Sequence, residues 1–155
     1  MSNELAFEVL PNDPAIIDLI SGWNEAYWNE TNPELKDAIS FKDFYTEAAA
    51  SPEDSLPQAF IVRLNGEVVG TISLNEENDE SVGPWASNLF VVPEHRNNGL
   101  GGFLMEMLFG IAQARGISKV YGWTSSNQEE FYYRKRGWKL IETRPNDVVI
   151  IEKEL

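Results

Sequence analysis

A strand that runs into a glycine-rich turn and out into a long helix constrains this chain more than any other feature. Leu89-Phe90-Val91-Val92 is an apolar, β-branched run closed by Pro93, within a strand expected over Trp85 to Val92. Gly99, Gly101 and Gly102 follow, and an apolar-periodic stretch from Gly101 to Arg115 starts among them. Leu104, Leu108 and Ile111 share one face of that helix, with Met107 and Ala112 beside it, and Gly116 is its stop. Lys119 to Thr124 is the next strand, so strand, helix and strand form a crossover unit with the two strands parallel. The first turn of a helix leaves N–H groups unpaired and carries a partial positive charge. Glycines there remove the Cβ atoms that would hold off a bulky anion. The loop is therefore an anion cradle suited to a pyrophosphate, with Arg96 able to add a charge-assisted contact at its rim.

The rest of the chain alternates between strand and helix signals. Leu5, Phe7 and Val9 read as a first strand ending at Pro11. Asp13 is a plausible N-cap and Pro14 suits the first turn of a helix carrying Ile16, Ile17, Leu19, Ile20, Trp23 and Tyr27. Glu34 to Ala50 reads as a second helical region. Ala59 to Leu64 and Val68 to Leu74 are strands joined across Asn65-Gly66, the strongest short hairpin signal. Glu76 to Glu80 is an acidic loop, Gln128 to Arg136 a short helix, and Trp138 to Thr143 and Val148 to Lys153 the last strands. The order β-α-α-β-β-β-α-β-α-β-β predicts a mixed, mostly antiparallel sheet flanked by helices, an α/β fold. The strand around Val148 to Ile151 reads as an exposed edge able to pair across a homodimer; the alternative is a monomer. At 155 residues the chain suits one hydrophobic core, hence a single domain over residues 1–155.

Composition narrows the chemistry. There is no cysteine and one histidine, so a disulfide framework, a thiolate nucleophile and a His- or Cys-based metal centre are not expected. The N-terminus Met1-Ser2-Asn3-Glu4 has no basic n-region, and no stretch approaches the ~20 apolar residues of a membrane span, so a cytoplasmic protein is expected. The net charge of -13 argues against nucleic acid and anionic membranes as partners. It either serves solubility or draws in cationic substrates such as amines.

The glycine loop is not a Walker A sequence, since the Gly-Lys-Ser/Thr ending is missing. It is a poor dinucleotide fingerprint, since Leu104 stands where the third small residue belongs. The run Val91-Val92-Pro93-Glu94-His95-Arg96-Asn97-Asn98-Gly99-Leu100-Gly101 instead resembles the signature of the GNAT acetyltransferases, Val-x-Pro-x-x-Arg/Gln-x-x-Gly-x-Gly/Ala. Tyr132-Tyr133-Arg134-Lys135-Arg136-Gly137-Trp138 resembles that family's aromatic-Tyr-x-x-x-Gly-aromatic element. One helix and one strand separate the two, as in the family.

The resemblance implies an acyl-CoA-dependent N-acetyltransferase of GNAT-like fold, with about six to seven strands and about four helices. It implies acetyl-CoA as cosubstrate. Phe90, Val91 and Val92 would pair with the pantetheine arm, and Arg96, Asn97, Asn98, Gly99, Leu100, Gly101 and Gly102 would hold the pyrophosphate. Asn127 matches a position that often contacts the cofactor, and Tyr133 matches the tyrosine that protonates the leaving thiolate. Tyr132 is the adjacent competitor for that role. Arg134, Lys135 and Arg136 form either a solvated face or, with Arg134 foremost, a grip on the cofactor's 3′-phosphate. His95 suits a surface or loop-packing role. The acceptor would be a small-molecule or peptide amine. Its general base is unassigned, because Pro84, Trp85, Ala86 and Ser87 offer no acid where some members carry one, and Glu76, Glu77, Asp79 and Glu80 are as well read as solvated. Trp23, Tyr27, Trp28 and Trp85 either line an acceptor pocket or pack the core. The other reading is an acyl-CoA-binding module of the same fold without catalysis.

Overall fold

The computed structural model describes residues 4–36, 38–52, 55–76 and 83–155. Seven strands form one sheet in the order β1-β2-β3-β4-β5-β7-β6: β1 Leu5–Val9, β2 Gln58–Leu64, β3 Glu67–Asn75, β4 Trp85–Val91, β5 Lys119–Ser125, β6 Lys139–Arg144 and β7 Val148–Glu154. Every neighbouring pair is antiparallel except β4 and β5. The expected hairpin between β2 and β3 turns on Asn65 and Gly66 with φ of 52° and 88°, the two positive values that a type I′ turn requires.

Helix α1, Pro14–Thr31, begins where the side chain of Asp13 accepts from Ala15 N at 2.9 Å, with Pro14 in the first turn. The second helical region is shorter than its apolar residues suggest. Pro33–Leu35 is a single 3₁₀ turn, and α2 spans Phe41–Ala50. Ser40 sets that start, because its hydroxyl accepts from Asp43 N at 3.2 Å. Helix α3 is Leu100–Ala114. The segment expected as one short helix is composite: α4, Ser126–Gln128, continues as a π turn over Glu129–Tyr133 and a 3₁₀ turn over Arg134–Arg136.

The sheet has a helical layer on each face. Helices α1 and α2 cover one side through Ile17, Ile20, Phe41, Tyr45 and Ala48, which pack on Ala59, Ile61 and Val68. Helix α3 covers the other through Leu104, Met105, Leu108, Phe109 and Ala112, on Phe60, Val62, Ile72 and Leu74. Met107, expected beside the apolar face, is 38% exposed, and Met105 and Phe109 are buried instead. The first layer also buries a polar pair: Asn24 Nδ2 donates to Tyr45 Oη at 2.8 Å and to the Ile20 carbonyl at 3.0 Å. Burial pushes the Tyr45 phenol well above its usual pKa.

The edge expected at Val148–Ile151 is not an edge. Strand β7 lies between β5 and β6, and Val149, Ile150 and Ile151 are buried. The hairpin from β6 to β7 inserts its second strand beside β5, which leaves β6 and β1 outermost. Sequence order alone made the last strand look terminal. Among the described residues, no helix is long and apolar enough to cross a membrane.

Candidate active site

Two local devices in β4 make the site. The first is a β-bulge. Thr71 faces Phe90 and Ser73 faces Ser87, so Ile72 alone stands opposite Asn88 and Leu89. Asn88 absorbs the extra residue at φ 55°, a left-handed conformation that asparagine tolerates better than most residues. The second is divergence from β5. The parallel partner strands meet only at Trp85 and Tyr121, where Tyr121 N donates to Pro84 O at 3.0 Å. Beyond that point the two strands share no ladder, and a gap opens in the sheet.

A cleft of about 320 Å³, including its open mouth, occupies that gap. Ala86, Leu89 and Gly122 form its strand walls, Met105 of α3 its floor, and Tyr133 and Trp138 one side. Ser87 and Trp123 line it as well. Ser87 shares the face of its ladder partner Ser73, which is that of α1 and α2, and Trp123 lies edge-on to Trp28 of α1 at 5.7 Å. The cleft therefore joins the α3 side of the sheet to the α1 side. A Cβ added at Gly122 would lie at ordinary contact distance, 3.6 Å, from the Ala86 carbonyl, the Ile151 side chain and the Trp138 ring.

Tyr133 sits in the π turn, edge-on to Trp138 at 5.7 Å and to Tyr132 at 4.8 Å. Burial first, then the neighbouring phenols of Tyr132 and Tyr27, push its pKa up to about 12, against a smaller opposing effect of Arg136. Of the two adjacent tyrosines only Tyr133 lines the cleft. Tyr132 points to the start of α3, where a Cβ on Gly101 would lie 2.9 Å from its Oη, and the Arg136 guanidinium covers its ring at 3.7 Å.

The glycine loop has the expected form. Pro93–His95 is a 3₁₀ turn, and Gly99, at φ 83°, caps α3 without any side-chain bond. The first helical bond runs from Phe103 N to Gly99 O at 2.9 Å, so the N–H groups of Leu100, Gly101 and Gly102 have no backbone acceptor among the described residues. A Cβ added at Gly99 or Gly102 would meet nothing within 4 Å. Unpaired donors beside open space are what a bound pyrophosphate needs, so these residues fit such a group.

Other sequence-selected residues take less expected places. Arg96 turns back on β4, donating from Nε to the Val91 carbonyl at 2.7 Å, with its guanidinium 5.1 Å from the centre of the Phe90 ring. Val92 N donates to Val69 O at 3.0 Å. By the alternation of an antiparallel ladder, Phe90 and Val92 then direct their backbone groups at β3, and Val91 directs its own to the open edge. Asn97 and Asn98 are exposed in the loop, and Asn127 is exposed just beyond β5. Arg134 is held by Glu129, with Nε to Oε2 at 2.9 Å and Nη2 to Oε1 at 2.6 Å. That contact keeps the Glu129 carboxyl below its usual pKa. Among the aromatic residues considered for an acceptor pocket, Trp23 stacks on Phe90 at 5.4 Å, Trp85 packs on Tyr121 at 6.0 Å, and Tyr27 is 53% exposed. None of them lines the cleft. His95 is half-buried in its turn, and Glu76 is exposed. Glu77, Asp79 and Glu80 lie outside the described residues.

Sequence reasoning missed Ser87, Gly122 and Trp123 as cleft residues and Glu129 as the partner of Arg134. Gly122 carried a signal, since a glycine inside a strand often marks a close approach or a ligand. The others became visible only when β4 and β5 were seen to part.

With this geometry in hand, comparison with known proteins is decisive. The model of the acetyltransferase (GNAT) family matches residues 15–138. The chain belongs to the GNAT family. A search of curated protein sequences gave no match. Solved structures with the same fold include the PaiA N-acetyltransferase of Thermoplasma acidophilum in complex with coenzyme A, at 18% identity and TM-score 0.74, with all of both chains covered. An acetyltransferase from Streptococcus agalactiae is similar at 22% identity and TM-score 0.73, over 97% of this chain and 98% of that one. An aminoglycoside 6′-acetyltransferase type Ii is similar at 20% identity and TM-score 0.69, over 96% of each chain. The GNAT signature sits at the end of β4 and the turn into α3, and the tyrosine element on the π turn, whose Tyr133 lines the cleft between β4 and β5.

Proposed function

We propose that this GNAT protein is an N-acetyltransferase that moves an acetyl group from acetyl-CoA to a primary amine of a small molecule or peptide, by direct attack in a ternary complex. The observation that carries the reading is the cleft in the gap between β4 and β5 with the Tyr133 phenol in its wall; α3, whose N-terminus is the glycine cradle, lines that cleft through Met105. When bound, acetyl-CoA supplies an acyl group already activated as a thioester.

The chain's residues then divide the work. The N–H groups of Asn98, Gly99, Gly101 and Gly102 hold the pyrophosphate, with Asn97 and Leu100 shaping the loop. Arg96 braces the loop against Val91 and keeps its remaining donors for the anion. The Val91 N–H, at the open edge of β4, polarises the thioester carbonyl. Phe90 and Val92 hold that edge in place through β3. Asn127 closes the far side of the cofactor site. Arg134 reaches a phosphate only through Nη1, since Nε and Nη2 are engaged with Glu129. Tyr133 holds its proton at neutral pH, which suits a general acid for the departing thiolate. The same desolvation raises the proton affinity of a thiolate formed beside it, so transfer from a weakly acidic phenol is not blocked. The amine must arrive or become neutral, since an unperturbed lysine-like amine has a pKa of about 10.4. A net charge of -13 favours a cationic acceptor.

Two measurements test this. Acetyl-CoA at about 100 times its Kd should stabilise the fold by roughly 2.7 kcal/mol, a rise of several degrees in Tm, and NADH should not. Tyr133→Phe should lower turnover by roughly a hundredfold or more with acetyl-CoA affinity retained. Full turnover in that variant removes Tyr133 from the chemistry, and no Tm shift with acetyl-CoA removes the cofactor reading.

A further inference from the structure

The cleft contains a polar group that the reaction described above does not use. Ser87 lies on β4 beside the bulge and lines the cleft together with Tyr133 and Trp123. Its Oγ is covered and has no hydrogen-bond partner among the described residues. Buried polar atoms are nearly always paired, so an unpaired hydroxyl in a ligand cleft marks a position that a ligand or water completes. Ser87 and Tyr133 also come from opposite sides of the sheet. Tyr133 belongs to the α3 side, and Ser87 shares the α1 face with Ser73, Trp85 and Trp123. Two substrates entering from opposite faces would therefore meet between a phenol on one side and a hydroxyl on the other.

We propose that Ser87 Oγ receives an N–H of the neutral acceptor amine and orients its lone pair toward the thioester carbonyl. This rests on the acetyltransferase reading and adds to it the residue that places the acceptor. Serine has three staggered χ1 wells, so one rotation turns a covered hydroxyl to an amine seated in the cleft. In the step so positioned, the C–N bond forms and the C–S bond breaks. Sulfur takes the proton of Tyr133, the nitrogen loses one to solvent, and the Tyr133 phenolate regains one from solvent. Ser87 itself neither gains nor loses a proton. A hydroxyl is the suitable group here: it accepts from a neutral amine, whereas a carboxylate would hold the ammonium form and withhold the lone pair.

The experiment compares the full chain with Ser87→Ala and Ser87→Thr, using spermidine, kanamycin and a lysine peptide as acceptors and thiol release as the readout. Melting temperature and acetyl-CoA-induced Tm shift are recorded for each. Ser87→Ala should raise the KM of the accepted amine or lower kcat/KM for it roughly three- to tenfold, the worth of one neutral hydrogen bond. Its Tm should hold or rise, because an unpaired polar atom has been removed, and its acetyl-CoA shift should match the parent. Ser87→Thr, which keeps the hydroxyl, should recover most of the loss. Unchanged acceptor kinetics in Ser87→Ala overturn the proposal and leave the acetyltransferase reading standing. A fall in Tm and in the acetyl-CoA shift, without a selective acceptor effect, also overturns it by making Ser87 structural. If the parent protein binds acetyl-CoA but acetylates none of the three amines, the proposal and the catalytic reading fall together.

Discussion

Adding one methyl group at Gly102 should separate the stability of the glycine loop from its function. Gly102 is the third residue of α3, and a Cβ there meets no atom within 4 Å. Glycine in a helix is less favourable than alanine by up to about 1 kcal/mol, so Gly102→Ala should stabilise the fold. With an unfolding entropy of roughly 2.1 cal/mol/K per residue, 1 kcal/mol in a chain this long corresponds to about 3 °C. A Tm rise of about 1 to 3 °C is expected by circular dichroism or calorimetry. Gly99→Ala is the contrast. Its added Cβ is equally free of neighbours, but φ is 83°, where L-residues pay roughly 1–2 kcal/mol. Its Tm should fall by about 3 to 6 °C. Each methyl group enters open space at the turn where the N–H groups of Leu100, Gly101 and Gly102 have no backbone acceptor among the described residues. Each charge-assisted bond lost there is worth about 1.5–3 kcal/mol, so acetyl-CoA should bind about tenfold to a hundredfold more weakly to both variants. Titration calorimetry reads this directly. A Gly102→Ala protein that is more stable and binds acetyl-CoA as well as the parent would refute the cradle.

Three further outcomes follow from the geometry. Gly70→Ala places a Cβ 3.0 Å from the Phe90 carbonyl and 3.1 Å from side-chain atoms of both Leu104 and Val62. Overpacking of this kind costs about 1–3 kcal/mol, a Tm loss of roughly 3 to 9 °C, and denaturant unfolding checks it. The Tyr133 phenol titrates near pH 12 in the fold against about 10 when unfolded, so its contribution to stability is intact below pH 10 and lost between about 10 and 12. Phenolate absorbance between pH 9 and 11 should accordingly be the same in the parent and in Tyr133→Phe. Arg134→Ala leaves the buried Glu129 carboxylate without its partner and should lower Tm at neutral pH. Because Arg134 holds the Glu129 pKa down, that difference should shrink as pH falls below the ordinary carboxylate range, which a Tm series against pH will read.

The sequence by itself determined most of the elements and their order. Seven strands, the crossover helix and the β2–β3 hairpin were legible because periodicity, Asn65-Gly66, Asp13-Pro14 and the glycine loop are local codes that need no distant partner. The start of α2 was also written locally, in Ser40 with Asp43 three residues on, but apolar residues upstream masked it. The buried face of α3 was half legible: Leu104 and Leu108 fell where expected, while Met105 and Phe109 took the place assigned to Met107 because the sheet surface decides which flank is covered. Only the tertiary structure placed β7 inside the sheet, since strand order depends on which edges remain free after the hairpins form. It also put Tyr133, which the family element already favoured, in the cleft wall and Tyr132 outside it. Both are aromatic residues in one irregular turn, and the difference is that one ring faces the gap between β4 and β5 while the other covers Gly101. The gap is the product of a bulge and of two strands that stop pairing after a single residue. Loss of a ladder is a relation between strands far apart in sequence, and no residue in either strand announces it alone.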